Sequence, residues 1–342
     1  MERSLPFFEK ILKKVLRIIP KFYIAALIFV LILNLFTVFY IKEKGNKKYV
    51  GIYYYIWYSN RPKFVKYPPN LERYNSSNES LIRKHIKELE NIGIDFILIS
   101  WLPFEDKITK NLETLLKLIN ETTSKIKISI LVEPYGVKKE DIPKILDKIY
   151  TKYYKPYKNI FFHLEGKPLV AFYDNFNKII DNRFTIRKVF GFLEISPEWY
   201  YWDLVNIKKI FPNNFISVFP RYDDFNLYAR GMRQKFIKIP YVYDLQWIGA
   251  IAQNPSIVII TSWNEFYEST NIEENAKEGN FLIEKTRHYI KMFKENNPLI
   301  KFFSIIVYPF ILIVEILLKI MVLLETTISY LVFISCKFLM AL

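Results

Sequence analysis

Cysteine and histidine are almost absent from this 342-residue sequence, which contains one Cys and three His. Because Cys336 has no second Cys to pair with, an intrachain disulfide is excluded. The three His residues lie far apart and form neither an HxxH nor an HExxH pair, so no zinc site is indicated. We therefore expect chemistry without a metal or a cofactor, carried out mainly by carboxylates.

Acidic residues are also in the minority, with 34 Asp and Glu against 49 Lys and Arg and a formal net charge of +15. The basic residues are scattered, with no Arg-rich tract and no recognisable nucleic-acid-binding module. This distribution is typical of a solvated Lys-rich surface, and we expect no nucleic-acid partner. Attraction to anionic lipid headgroups is a secondary expectation for a protein held at a membrane.

Long hydrophobic runs lie at the two ends of the chain. Residues 22–41 carry no charge and are numerous enough to span a bilayer as a helix. Six Lys and Arg residues precede this run and four Lys residues follow it, which favours a cytoplasmic N-terminus and an exported central domain. Residues 302–318 and 328–342, interrupted only by Glu315 and by Lys337 respectively, predict either one span with an interfacial helix or a short helical hairpin.

These runs divide the chain into five predicted segments. They are a basic N-terminal segment (1–21), a transmembrane helix (22–41), a linker (42–48), an α/β domain (49–297) and an apolar C-terminal membrane region (298–342). Asn-x-Ser/Thr sequons begin at Asn75, Asn78 and Asn120 and permit glycosylation of an exported domain. The lipid bilayer is therefore an expected partner, and the sequence contains no indication of oligomeric state.

Short apolar runs alternate with amphipathic ones throughout the central domain. The apolar runs predict strands at residues 49–58, 95–101, 127–132, 168–174, 189–194, 215–221 and 257–263. The amphipathic runs predict helices at residues 80–91, 107–123 and 140–155. Such alternation is typical of a parallel sheet covered by helices, and this number of units in about 250 residues predicts a (β/α)₈ TIM barrel.

Polar and aromatic residues follow several of the predicted strands. In a barrel, the carboxyl ends of the strands meet at one face, where the active site forms. The residues concerned make a ring of carboxylates and aromatic side chains suited to a sugar, and core packing is the open alternative for each of them. These candidate substrate-binding residues are Tyr55, Trp57, Trp101, Glu133, Tyr135, Tyr173, Arg221, Asp223, Asn264 and Tyr267.

Two carboxylates follow the last predicted strand, at Glu265 and Glu268. Hydrolysis of a glycosidic bond usually requires two carboxyl groups, which makes this pair the candidate catalytic residues. Residues three apart on an extended strand face opposite sides, so the two side chains share a site only if the chain turns after Trp263. The alternative is a structural role, in which the two Glu residues place favourable charge at a helix N-terminus.

The motif at residues 263–273, WNEFYESTNIE, resembles the WNEWHEGTQIE signature of glycoside hydrolase family 99, the endo-α-1,2-mannosidases and related mannanases. Further segments resemble this family in the same order along the chain. They are YYYIWYSNRP at 53–62, the GIDFILISWLP stretch within 92–103, VEPY at 132–135 and GKPLVAFY at 166–173.

This resemblance implies a (β/α)₈ barrel and a metal-independent, retaining hydrolase acting on α-mannosides or related glycans. In such a reaction Glu265 draws the proton from the sugar 2-hydroxyl, which attacks C1 to form a 1,2-anhydro sugar. Glu268 serves as the general acid on the leaving oxygen and then as the base for water, a change of protonation state that its two roles require.

The motif also departs from the family pattern. Tyr267 stands in place of His, Ser269 in place of Gly, Phe266 in place of Trp and Ser59 in place of Gly. These changes bear on the substrate more than on the reaction. One alternative is a catalytically decayed protein with the same barrel that binds carbohydrate or assembles polysaccharide. A membrane glycosyltransferase is the other, but the sequence has neither a DxD motif after a strand nor a Gly-rich phosphate loop.

Overall fold

The central structural element is a nine-stranded sheet. The computed structural model describes residues 47–122, 124–173, 179–190, 199–200, 215–223, 241–300, 302–304 and 306. Within these residues the strands are β1 (Tyr49–Tyr55), β2 (Phe96–Trp101), β3 (Lys127–Val132), β4 (His163–Leu164), β5 (Lys167–Tyr173), β6 (Thr185–Phe190), β7 (Trp199–Tyr200), β8 (Phe215–Val218) and β9 (Ile257–Ile260).

The sheet is parallel and curled. Its strands follow the order β7-β6-β5-β3-β2-β1-β9-β8, and β4 adds an antiparallel pairing to β5. The edge strands β7 and β8 approach one another, with Cα atoms within 8 Å. The fold is therefore an α/β fold with a curled parallel sheet, as the alternation of apolar and amphipathic runs predicted.

The helices cover the outer face of this sheet. They are α1 (Glu79–Ile92), α2 (Asp106–Glu121), α3 (Ile142–Lys148), α4 (Lys155–Tyr157), α5 (Val242–Gln253) and α6 (Phe281–Glu295), and a π-helical segment (Ile149–Tyr154) joins α3 to α4. Helix α1 begins where the Asn78 side chain accepts hydrogen bonds from the Ser80 and Leu81 amides, and it ends at Gly93, whose positive φ of 91° suits glycine.

Alternate residues of the central strands point to opposite faces of the sheet, because the side-chain period of a strand is two. On the outer face, Ile52, Tyr54, Ile97, Ile99 and Trp101 pack with the apolar faces of α1 and α2. On the inner face, Tyr53, Tyr55, Phe96 and Leu98 pack against each other and against Leu131 and Ile259. The continuous apolar runs of β2 and β9 are thus explained by burial on both faces.

Several predicted boundaries were wrong. Strand β6 begins at Thr185, four residues before the predicted start at 189. The prediction began too late because Arg187 and Lys188 interrupt the apolar pattern of this strand. The strands β1, β8 and β9 end at Tyr55, Val218 and Ile260, before the predicted ends at 58, 221 and 263. The predicted helix 140–155 is divided into a 3₁₀ turn, α3 and the π-helical segment.

The predicted membrane segments fall almost entirely outside the described residues. This is true of the run 22–41, of the run 328–342 and of nearly all of 302–318. In the part of the chain that the structure describes, no helix is both long enough and apolar enough to cross a bilayer.

Candidate active site

The chain turns at residues 266–269, six residues after β9 ends at Ile260, and sharing of a site by Glu265 and Glu268 requires such a turn. Trp263 is fully buried, and the Glu265 amide donates to the Ser262 hydroxyl at 2.9 Å. The Ser269 amide then donates to the Phe266 carbonyl at 3.3 Å, and Ser269 itself has a φ of 59°. This left-handed conformation, at a position where glycine would be unstrained, closes a tight turn over residues 266–269.

Glu265 is the more buried carboxylate, with 3% of its surface exposed. Burial raises its pKa well above the ordinary value for Glu, and the negative charges of Glu268 and, to a smaller extent, Glu133 raise it further. The backbone amides of Tyr267 and Glu268 oppose this shift, and the Tyr267 amide donates to Oε1 at 2.8 Å. Glu265 is therefore a more basic carboxylate than an exposed Glu, held in one orientation by the turn.

Glu268 is partly exposed and lies in the same turn, three residues after Glu265. Its carbonyl accepts a hydrogen bond from the Asp223 amide at 2.8 Å, and the Ser269 hydroxyl donates to the Asp223 carbonyl at 3.1 Å. Its charge also contributes to the raised pKa of Tyr173, for which burial is the main cause. The turn after β9 is thus tied to the segment after β8, and the Glu268 carboxylate is close enough to influence both Glu265 and Tyr173.

A third carboxylate, Glu133, follows β3 on the inner side of the sheet. It is 7% exposed, and its Oε1 accepts a hydrogen bond from the Ser100 hydroxyl at 2.7 Å. Its charge contributes to the raised pKa of Tyr53, Tyr173 and Glu265. The ends of β1, β3, β5 and β9 therefore bring three carboxylates and two tyrosines to one place.

Aromatic side chains form the wall beside these carboxylates. The Tyr267 ring stacks on Tyr58, with centroids 5.9 Å apart, and Trp57 lies 4.6 Å from Tyr55 by the same measure. The Tyr58 hydroxyl accepts a hydrogen bond from the Phe266 amide at 3.1 Å, and Glu265 contributes to its raised pKa after burial. A cavity of about 780 Å³ opens beside this wall and is lined in part by Trp57, Tyr58, Tyr135 and Tyr267.

A buried polar network supports the turn from behind. The Asn264 amide group accepts from the Tyr55 amide at 2.8 Å and donates to the Tyr55 carbonyl at 2.9 Å and to the Tyr74 hydroxyl at 3.0 Å. Tyr74 donates to Glu273 at 2.7 Å, and Glu273 lies 2.9 Å from His85. This network joins the residue before Glu265 to the end of β1 and to α1.

Comparison with known proteins gives one family match and several solved structures with a similar fold. Residues 63–190 match the family model described as glycosyl hydrolase family 99. A structure of the family 99 endo-alpha-mannosidase from Bacteroides thetaiotaomicron in complex with bis-tris-propane has a TM-score of 0.58 and 19% identity, covering 72% of this chain and 97% of that chain. Residues 63–190 therefore resemble glycosyl hydrolase family 99, and the chain shares the fold of a solved structure from that family.

Two further solved structures share the fold. Another structure of the Bacteroides thetaiotaomicron enzyme has 17% identity and a TM-score of 0.58, and it covers 73% of this chain and 98% of that chain. A structure described as a glycoside hydrolase-like protein has 13% identity and a TM-score of 0.53, covering 73% of this chain and 95% of that chain. No curated protein sequence matches the chain significantly.

Not every residue predicted for the site lies there. Trp101 points to the outer face of the sheet, where it is fully buried and its indole N–H donates to the Thr109 hydroxyl at 3.1 Å. Its neighbour Ser100 occupies the inner face and contacts Glu133. The prediction for Trp101 was wrong because it followed residue type, whereas the alternation of faces along β2 decides which side chain reaches the site.

Arg221, Asp223 and Asn264 lie near the site but use their side chains in internal contacts. The Arg221 guanidinium is buried, donates to the Asn271 carbonyl at 3.1 Å, pairs with Glu278 at 3.1 Å and stacks 3.7 Å from the Tyr67 ring centre. Burial lowers its pKa. Asp223 forms an ion pair with Lys66. A direct contact of these three residues with substrate stays a prediction.

The candidate residues did not include Ser100, Tyr58 or the network behind Asn264. Ser100 could have been identified because alternate residues of β2 face opposite sides of the sheet, so that Ser100 and Trp101 cannot both face the site. Tyr58 could have been identified because it directly follows the candidate residue Trp57. No local pattern identifies His85, Tyr74 and Glu273 as partners, because they are brought together from different parts of the chain. Among the described residues, no three His, Cys, Asp or Glu side chains are placed to hold a metal ion.

Proposed function

We propose that this family 99-like protein is a retaining glycoside hydrolase that cleaves α-mannoside-type linkages in a surface glycan. The observation that carries the proposal is the turn after β9, which holds the buried, unusually basic Glu265 within electrostatic reach of the partly exposed Glu268. The likeness to the Bacteroides thetaiotaomicron endo-alpha-mannosidase supports this choice of substrate class. We also propose that the curled sheet closes into a complete (β/α)₈ barrel around the site.

The first step forms a 1,2-anhydro sugar. Glu265 accepts the proton of the sugar 2-hydroxyl, O2 forms a bond to C1, and the bond from C1 to the leaving oxygen breaks. Glu268 donates its proton to that oxygen, so the departing sugar leaves as a neutral alcohol. The raised pKa of Glu265 favours its service as the base, since a carboxylate with a higher pKa accepts a proton more readily.

The second step restores the enzyme. Water attacks C1 from the face opposite O2, the C1–O2 bond breaks, Glu268 takes a proton from the water, and Glu265 returns its proton to O2. Two displacements at C1 give overall retention of configuration. Tyr173 and Glu133 are proposed to hold the sugar that reacts, because Tyr173 lies within electrostatic reach of Glu268 and Glu133 lies within electrostatic reach of Glu265.

The test is hydrolysis of a panel of α-linked manno- and gluco-oligosaccharides by the full chain and by Glu265→Gln and Glu268→Gln variants. We expect cleavage of α-mannosides with retained configuration, observed by NMR, and a loss of at least about 100-fold in kcat/KM in each variant. Restoration of Glu268→Gln turnover by a substrate with an activated aryl leaving group, but no such restoration of Glu265→Gln, distinguishes acid from base.

The competing function is a carbohydrate-binding protein that no longer hydrolyses its ligand. The observation in its favour is Tyr267, which replaces the family His and stacks on Tyr58 at the entrance to the carboxylates. If the wild type and Glu268→Gln bind α-mannosides with equal affinity and neither cleaves them, the hydrolase proposal is wrong and the binding function stands.

A further inference from the structure

The cavity of about 780 Å³ beside the carboxylates has a basic lining. Arg61 and Lys63 contribute to its wall together with Trp57 and Tyr135. Of the described residues that line it, none is Asp or Glu. The cavity therefore combines aromatic faces, which stack on sugar rings, with two cationic side chains.

Among the described residues, neither cation is neutralised by a carboxylate. The Arg61 guanidinium donates through Nη2 to the Pro69 carbonyl at 3.0 Å, which fixes its position without neutralising its charge. In the part of the chain that the structure describes, no carboxylate forms an ion pair with Arg61 or Lys63. By contrast, the neighbouring Lys66 is paired with Asp223. An anchored guanidinium with free donors is suited to bind phosphate or carboxylate oxygens.

The inner part of the site has the opposite charge. Glu133, Glu265 and Glu268 gather there, and like charges raise the pKa of Glu265. An anionic group on the reacting sugar would be repelled by these carboxylates. A negative charge on a neighbouring sugar would instead meet Arg61 and Lys63, so the charges separate the site into an inner region for a neutral sugar and an outer region for an anionic one.

We infer that the cavity is a subsite for an acidic substituent, a phosphate ester or a carboxylate, on the glycan unit next to the sugar that reacts. In this subsite Arg61 and Lys63 bind the anionic oxygens, and Trp57 and Tyr135 stack on the ring. The inference rests on the proposed function for the identity of the sugar, and it adds that the natural glycan is charged.

The test compares three ligands: a neutral α-mannotriose, the same trisaccharide with a 6-phosphate on a terminal unit, and an analogue whose terminal unit is a uronic acid. Binding is measured by calorimetry with the full-length Glu268→Gln protein in detergent at low salt, and cleavage is measured with the wild type. We expect an anionic ligand to bind at least about tenfold more tightly than the neutral one. The tighter of the two anionic ligands identifies the substituent as phosphate or carboxylate.

The variant Arg61→Gln/Lys63→Gln should lose this preference while keeping its affinity for the neutral trisaccharide. Arg61→Lys keeps the positive charge but loses the planar pair of donors, so this variant should keep only part of the preference for anionic ligands. The matched control is Arg287→Gln/Lys291→Gln on α6, which removes the same charge outside the cavity lining. Thermal melting of each variant separates lost recognition from lost folding.

The outcomes separate the two proposals. Equal affinity for neutral and anionic ligands, or a preference that survives the double substitution, overturns the subsite even if α-mannosides are cleaved. Anionic binding that depends on Arg61 and Lys63, with no cleavage of any ligand, supports the subsite and contradicts the hydrolase. Absence of all binding overturns both.

Discussion

At the scale of single residues, the environment of Glu265 determines its chemistry. Its carboxyl group is 3% exposed and is influenced by two further carboxylates, so ionisation is unfavourable for this group compared with an exposed Glu. The same environment that makes Glu265 a stronger base also reduces the stability of the folded chain when the group is ionised. Ionisation of the Glu265 carboxyl group should therefore affect both its strength as a base and the free energy of unfolding.

The variant Glu265→Gln should be more stable than the wild type at neutral and alkaline pH. A carboxyl group whose pKa is raised on folding stabilises the fold fully below its unfolded pKa, and this stability is lost as pH rises through the folded pKa. The loss amounts to about 1.4 kcal/mol for each unit by which the pKa is raised. Denaturant unfolding from pH 4 to pH 9 measures it.

The glutamine side chain keeps the acceptor for the Tyr267 amide, so the variant removes charge alone. Glu140→Gln, at an exposed position, is the matched control and should leave the pH dependence unchanged. If the wild type and Glu265→Gln show the same stability profile, the assignment of a raised pKa to Glu265 is wrong.

At the scale of secondary-structure elements, the site depends on how β1 meets the turn after β9. Asn264 provides this connection, because its side chain pairs with both backbone groups of Tyr55 and with the Tyr74 hydroxyl. All of these groups are buried, so no water is available to replace a lost partner.

Asn264→Ala should destabilise the fold by at least about 2 kcal/mol, because it leaves buried donors and acceptors at the end of β1 without partners. It should also lower kcat more than it raises KM, since Glu265 is the next residue. Asn91→Ala, on the exposed surface of α1, serves as the control. An unchanged kcat in a folded Asn264→Ala protein would show that the hydrogen bonds of the Asn264 side chain have no role in orienting Glu265.

Close packing of β1 against β2 also depends on the absence of a side chain at Gly51. A Cβ atom at this position would lie 2.5 Å from the Phe96 ring, and that ring stacks on Phe162 with centroids 4.0 Å apart. Gly51→Ala should therefore cost about 1–3 kcal/mol through overpacking. Replacing Phe96 by Leu in the same chain should recover part of this loss, and strict additivity of the two changes in a double-mutant cycle would contradict the proposed clash.

Features of the fold that depend on local sequence pattern could be predicted, whereas features that depend on contacts between distant residues could not. Strand β3 was predicted with its observed bounds, and the turn at Glu265 was expected from the need to unite two carboxylates, because both depend on local pattern. The placement of Trp101 failed because its face is set by register across β1, β2 and β3. The partners of Asn264 were not predictable, since Tyr55 and Asn264 lie 209 positions apart.

At the scale of the whole molecule, the apolar runs at both ends of the chain bear on where the α/β domain is held in the cell. The apolar runs at 22–41, 302–318 and 328–342 lead us to propose that the domain is anchored in a membrane and exported, with the N-terminus in the cytoplasm. The bilayer would then keep the site close to glycans at the cell surface.

The full chain should remain in the membrane pellet after extraction with alkaline carbonate, because an apolar helix that spans the bilayer is not released by high pH. A chain lacking residues 22–41 and 302–342 should appear in the supernatant. Recovery of the full chain in the supernatant would contradict membrane insertion.

Orientation can be measured with a single introduced thiol, because Cys336 is the only native Cys. In a Cys336→Ser background, Lys117→Cys places a thiol on the exposed side of α2. A membrane-impermeant maleimide should label this thiol on intact cells. Labelling that requires lysis would reverse the proposed orientation.

The position of β1 between β2 and β9 has a consequence for biosynthesis. Tyr49 pairs with Ile257 and Val50 with Val258. During synthesis, β1 therefore cannot form this pairing until β9, about 200 residues later in the chain, has also been made. Until then, one hydrogen-bonding edge of β1 has no neighbour, and the emerging chain is vulnerable to aggregation and slow to fold. The part of the candidate site that follows β9 can therefore join the end of β1 only late in synthesis, after the other central strands have been made.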